Sequence, residues 1–140
     1  MRQRLLVEVI YFLFQLLFAY AAIIKLMDLE KFQGQIGQSS LLTSYANFLS
    51  WSVPVIELCV VIVLSISKIR LIGMYGAVVI MATFTWYVFY ILNFDPNIPC
   101  SCGGILDSMG WTEHLIFNAS FLILAVVCVV LESTPRSVAI

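Results

Sequence analysis

Four apolar runs, at or near the length that crosses a lipid bilayer, decide what this chain can fold into. They lie at about residues 5–27, 50–65, 71–92 and 112–131. A hydrocarbon core about 30 Å thick takes roughly 20 apolar residues in a helix. Of the 140 residues, 62% are hydrophobic and 11% charged, against about 45–50% and about 25% in soluble domains. The expectation is an all-α membrane protein: one domain over residues 1–140, folded as a four-transmembrane-helix bundle. A formal net charge of −1 offers no basic field for nucleic acid. Arg2 and Arg4 before the first run could open a cleaved signal peptide, but the run from Leu5 to Leu26 exceeds the 7–15 residues of a signal core. A retained span is expected.

Along the first helix, Glu8, Tyr11 and Gln15 recur at helical spacing and share a face that should look into the bundle. Gln15 is expected to make an interhelical hydrogen bond. Lys25, near the end of this helix, has a stem that can snorkel to the interface. Residues 28–48 form a first outer loop, with short amphipathic pieces suggested by Phe32, Ile36, Leu41, Leu42 and Tyr45. Pro54 is expected in the first turns of the second helix, where its missing N–H costs little. Glu57 follows below the surface, where a carboxylate is expensive and marks a functional site by default. Gly73 and Gly76 allow close helix contact, Thr83 and Thr85 can bond back to their own helix, and Trp86, Tyr87 and Tyr90 resemble an interfacial belt. The second outer loop, 93–111, contains Pro99-Cys100-Ser101-Cys102-Gly103-Gly104. Thr112 is the expected N-cap of the fourth helix.

Basic residues set the orientation. Arg2 and Arg4, then Lys68 and Arg70, then Arg136 fall on one side. The positive-inside rule puts both termini and the second connection in the cytoplasm. The chain is therefore expected as a multi-pass protein of a bacterial inner membrane, surrounded by lipid. The loops at 28–48 and 93–111 then face the periplasm, where disulfides persist.

This topology gathers Lys25, Glu57, His114 and Asn118 at one depth beneath Cys100 and Cys102. The candidate catalytic residues are Cys100, Cys102, His114, Glu57 and Lys25. Two cysteines one residue apart can close a strained ring, and strained exposed disulfides belong to the labile, catalytic class. A nearby His or Lys stabilises the reactive thiolate, and Glu57 could exchange protons. Bland readings stand beside these. The disulfide could merely pin a loop, although so short a bridge restricts the unfolded chain very little. Lys25 and Glu57 could be an ion pair locking two helices. Cys100, Cys102 and His114 could bind Cu(I) or Zn(II), but zinc-site cysteines are usually spaced by two to four residues; no metal is expected. Cys59 reads as a small packing residue. Cys128 lies near the other end of its helix, too far for an internal relay between two cysteine pairs.

The order of features resembles the DoxX-like superfamily of small four-helix membrane proteins, and within it the MauE branch, named for methylamine utilisation. The residues that carry the resemblance are Lys25, Asp28 and Phe32, then Pro54-Val55-Ile56-Glu57, then the Pro99–Gly104 segment, then Trp111, His114 and Asn118. The resemblance implies a membrane thiol-redox role in the disulfide chemistry or maturation of exported proteins, beside a thioredoxin-like or other exported partner. A quinone docked between helices, or a second membrane thiol, would exchange the electrons. The alternative is a non-catalytic subunit of a larger membrane complex, with a disulfide-tied docking loop.

Overall fold

The computed structural model describes residues 1–96 and 110–134. Its elements in chain order are α1 (Arg2–Met27), α2 (Leu29–Gln38), a 3₁₀ turn (Thr43–Tyr45), α3 (Ala46–Ser65), α4 (Arg70–Phe94) and α5 (Trp111–Ser133). Four segments are long and apolar enough to cross a membrane: Arg2–Met27, Thr43–Ser65, Arg70–Phe94 and Trp111–Ser133. The expected all-α, four-span architecture is therefore present. α1 packs on α3, α3 on α4, α4 on α5, and α5 returns to α1, while α2 lies against α3 and α1.

The surface is apolar where water-soluble proteins are polar. Ile62, Val79 and Ile123 are each more than 60% exposed, as suits side chains facing lipid. The core is built from Ile10, Phe14, Phe18, Met74, Ala77, Met81, Ala125 and Cys128, all essentially inaccessible. Phe14 meets the edge of Phe121 at 5.5 Å between centroids, which joins α1 to α5. Gly73 sets the α3–α4 approach: a Cβ there would lie 3.0 Å from the backbone nitrogen of Leu64. Gln15 makes its expected interhelical bond, donating from Nε2 to the Leu64 carbonyl at 3.1 Å. That carbonyl is among the last four of α3, which have no partner within their own helix. Thr83 and Thr85 return their hydroxyls to Val79 and Met81.

The boundaries differ from the sequence expectation in instructive ways. The span around Pro54 begins at Ala46, not near Ser50, so Pro54 is a helix-interior proline. An interior proline forfeits the bond to the carbonyl four residues back. That residue is Ser50, fully buried, whose own hydroxyl donates to the Asn47 carbonyl at 2.8 Å. α5 begins one residue before Thr112, with Gly110 in the N-cap position. The connection at 28–48, expected as a loop, is mostly helical, and α2 does more than rest on an interface: Gln35 and Ile36 are buried. Cys59 is exposed on the outer face of α3, not packed inside, while Cys128 is buried.

The up-and-down order of the spans places two connections at one end. α2 with its following turn links α1 to α3 there, and residues 95–110 link α4 to α5. The short turn between α3 and α4 lies at the opposite end, with Arg2 and Ser133.

Candidate functional site

The site starts with a local folding signal. α1 stops at Met27, and Asp28 becomes the N-cap of α2, its side chain accepting the Lys31 amide at 3.1 Å. Capping reverses the chain at once, so Phe32 comes back over the end of α1. Its ring lies 5.6 Å from Lys25 Nζ, and Phe84 of α4 covers the ammonium from another side at 5.3 Å. The spacing of Lys25, Asp28 and Phe32 thus has a physical basis: cation, cap, and ring returned onto the cation.

Lys25 does not snorkel outward. Its ammonium donates to Glu57 Oε1 at 2.6 Å, with 19% of the lysine side chain and 1% of the glutamate exposed. A buried carboxylate needs a cation, donors or water. Here one oxygen has a charge-assisted bond of the short, strong kind. The other, Oε2, has no hydrogen-bond partner among the described residues.

His114 is in the first turn of α5, its ring stacked on Trp111 at 5.7 Å. One turn deeper on the same face is Asn118, buried, with its amide nitrogen unpartnered. One turn beyond Phe32 on α2 is Gln35, buried, with both amide atoms unpartnered. The Lys25–Glu57 pair thus joins α1 to α3, with Phe32 of α2 and Phe84 of α4 over the ammonium. Among the described residues, Glu57, Gln35 and Asn118 each keep a buried polar atom without a hydrogen-bond partner.

Of the expected site residues, the structure brings Lys25 and Glu57 into contact and places His114 in the first turn of α5, at the same end of the bundle. Cys100 and Cys102 lie outside the described residues. The segment that carries them leaves α4 through Asp95 and rejoins α5 through Gly110, both at this end of the bundle. Among the described residues no three His, Cys, Asp or Glu side chains are grouped to hold a metal ion.

Sequence reasoning missed Gln35, Ser39, Phe84 and Asp95. Asp95 is buried in the C-cap position of α4, where it accepts the Ser39 hydroxyl at 3.1 Å and the Ser40 amide at 3.2 Å through Oδ2. A signal was available. A carboxylate at a helix C-terminus opposes the helix dipole, so Asp95 needed another reason to be there.

No curated protein and no solved structure matches the chain. A family model does, over residues 3–131, and its description is methylamine utilisation protein MauE. With nearly its whole length matched, this four-span membrane protein belongs to the MauE family.

Proposed function

We propose that the protein is an integral membrane thiol–disulfide redox protein, working on exported proteins through Cys100 and Cys102. The observation that carries this reading is the Lys25–Glu57 pair. It is buried at the end of the bundle where the cysteine segment leaves and returns, with one carboxylate oxygen unclaimed. By the positive-inside argument this end faces the periplasm of a bacterial inner membrane, the compartment of an exported thioredoxin-like partner.

The exchange runs in two steps. A thiolate of the Cys100–Cys102 pair attacks one sulfur of a partner disulfide, forming a mixed disulfide and releasing one partner thiolate. The second cysteine, as thiolate, attacks its neighbour's sulfur, closes the Cys100–Cys102 bond and releases the other partner thiolate. Two electrons pass to the partner, whose two thiolates take up the two protons shed by the cysteines. The reverse sequence oxidises the partner. Lys25 favours the thiolate form. Glu57 and His114 accept and return the protons.

Turnover needs a further electron carrier. A lipid-soluble quinone fits the residues present: Asn118 offers an unpartnered donor and Glu57 an unpartnered acceptor, both buried. When bound, a quinone would accept two electrons and two protons from the reduced pair after partner oxidation, and its quinol form would supply them to the oxidised pair in the partner-reducing direction.

The test is Cys100→Ser and Cys102→Ser, each examined for a trapped mixed disulfide whose partner is identified by mass. One of the two should accumulate a covalent adduct with an exported thiol protein. A membrane-impermeant thiol label should also reach the reduced pair in intact cells. If the double alanine variant is fully functional and no adduct forms, the protein is a docking subunit instead. Labelling only after lysis would overturn the orientation.

A further inference from the structure

We infer that the end of the bundle opposite Lys25 and Glu57 binds the headgroup of an anionic phospholipid, held by Arg4 and Lys68. Neither the redox reading nor the Lys25–Glu57 pair enters into this. The charges at this end do not balance within the protein. Its acidic residues are Glu8 and Glu132, and Arg70 takes both: it donates to Glu8 at 2.5 Å and to Glu132 at 3.0 and 3.2 Å. The second oxygen of Glu132 accepts the Tyr11 hydroxyl. Arg2, Arg4 and Lys68 are exposed, and none of the three has an ion pair or hydrogen-bonded side chain among the described residues. α1 and α4 both begin here with no acidic residue in the first turn, so their dipoles add to the positive field.

Arg4 and Lys68 are brought together by contacts that the fold fixes. Arg4, Glu8, Tyr11 and Gln15 share one face of α1. On that face Gln15 bonds the Leu64 carbonyl near the end of α3, and Glu8 bonds Arg70 at the start of α4. Arg4 is one turn further out than Glu8, about 6 Å along the helix axis. Lys68 belongs to the turn between α3 and α4, just before Arg70. The two cations are therefore neighbours of one contact, Arg4 through Glu8 and Lys68 through Arg70.

The surface beside them decides which anion they fit. Leu5 is 68% exposed, Ile66 44% and Ile72 67%, so apolar side chains begin directly where the cations end. Arg2 lies on the outward face of α1 with Leu5, Val9 and Phe12, all exposed. A soluble anion would meet the charge and leave this apolar surface untouched. A phospholipid meets both, with its phosphate at the cations and its acyl chains along the apolar face. Arg and Lys at the end of a span reach the headgroup level by their long stems, and cations there are drawn to anionic lipid.

The experiment uses the full-length protein, delipidated in detergent and titrated with dioleoylphosphatidylglycerol or dioleoylphosphatidylcholine. Bound lipid is counted by native mass spectrometry. The two lipids share acyl chains and a phosphate but differ in net charge. Phosphatidylglycerol should bind more tightly. Arg4→Gln and Lys68→Gln should each weaken its binding about fivefold, the worth of one cation near an anionic membrane surface, and leave phosphatidylcholine binding unchanged. Arg4→Lys keeps the charge and should stay within about threefold of the parent. Lys31→Gln, at an exposed cation of the other end, should leave the preference as it was. Should a glutamine variant not fold, the parent decides: raising salt from about 0.1 M to about 0.5 M should erase its preference. Equal binding of the two lipids, or a preference untouched by salt, overturns the inference. So does a preference that survives the double variant Arg4→Gln/Lys68→Gln, because the lipid is then held elsewhere. If inorganic phosphate or poly-glutamate displaces phosphatidylglycerol at equal concentration, this end takes soluble anions and the lipid assignment fails.

Discussion

At the end of the bundle covered by α2, one ammonium meets one carboxylate; at the opposite end, one guanidinium meets two. Arg70, the first residue of α4, donates to Glu8 of α1 at 2.5 Å and to Glu132 of α5 at 3.0 and 3.2 Å. Its guanidinium carbon lies 4.5 Å from the centroid of the Tyr11 ring, and the Tyr11 hydroxyl donates to Glu132. Each acidic group there has a partner, and Glu8, 60% exposed, has water as well. The fork geometry of arginine suits such a permanent tie, since its charge does not titrate. The Lys25–Glu57 pair is drier and less completely bonded: Glu57 is 1% exposed and Oε2 is unclaimed. Lysine and glutamate can exchange a proton in a dry site, which arginine does not do. The difference teaches that ion pairs in one small bundle can be built unlike: one ties three helices with each carboxylate bonded, and the other leaves a buried carboxylate oxygen without a partner among the described residues.

The contrast breaks most sharply at Glu57. Removing one member of a buried pair leaves an uncompensated charge, a cost of about 3–5 kcal/mol. Glu57→Ala should therefore lower stability by that amount in denaturant or thermal unfolding in detergent, and adding Lys25→Ala should recover part of the loss. If the two single losses simply add, the pair is not the stabilising unit described. Glu57→Gln sharpens the comparison. It should fold, keep a hydrogen bond to Lys25, and slow turnover of the Cys100–Cys102 pair; a stability loss with normal turnover would make this pair a tie like its counterpart.

At the other end the expected effects are smaller and purely structural. Arg70→Lys keeps the charge but cannot serve Glu8 and Glu132 with a planar fork, and should cost about 1–2 kcal/mol without altering thiol exchange. Tyr11→Phe removes one hydrogen bond to Glu132 and should cost about 0.5–1.5 kcal/mol. Glu8→Gln, at an exposed position, should cost less than about 1 kcal/mol in the same unfolding measurement. A redox defect in any of these three would erase the distinction between the two ends.

The sequence by itself determined the class of fold. Long apolar runs admit few structures in lipid, because each backbone polar group must be satisfied within the segment. Helical spacing was equally legible: it placed Gln15 on an inward face and put His114 and Asn118 on one side of α5. Glu57 stood out because an acid in an apolar run is costly wherever it points. The tertiary structure alone decided which cation meets that acid. Lys25 could equally have reached outward to the interface; the Asp28 cap that brings Phe32 back over it, with Phe84 beyond, turns it inward. It also decided that the first connection is a helix burying Gln35 and Ile36, and that Asp95 accepts from Ser39 and Ser40. Such contacts join residues far apart in the chain. Periodicity within one helix says which face is buried, but carries no information on which face of another helix it will meet.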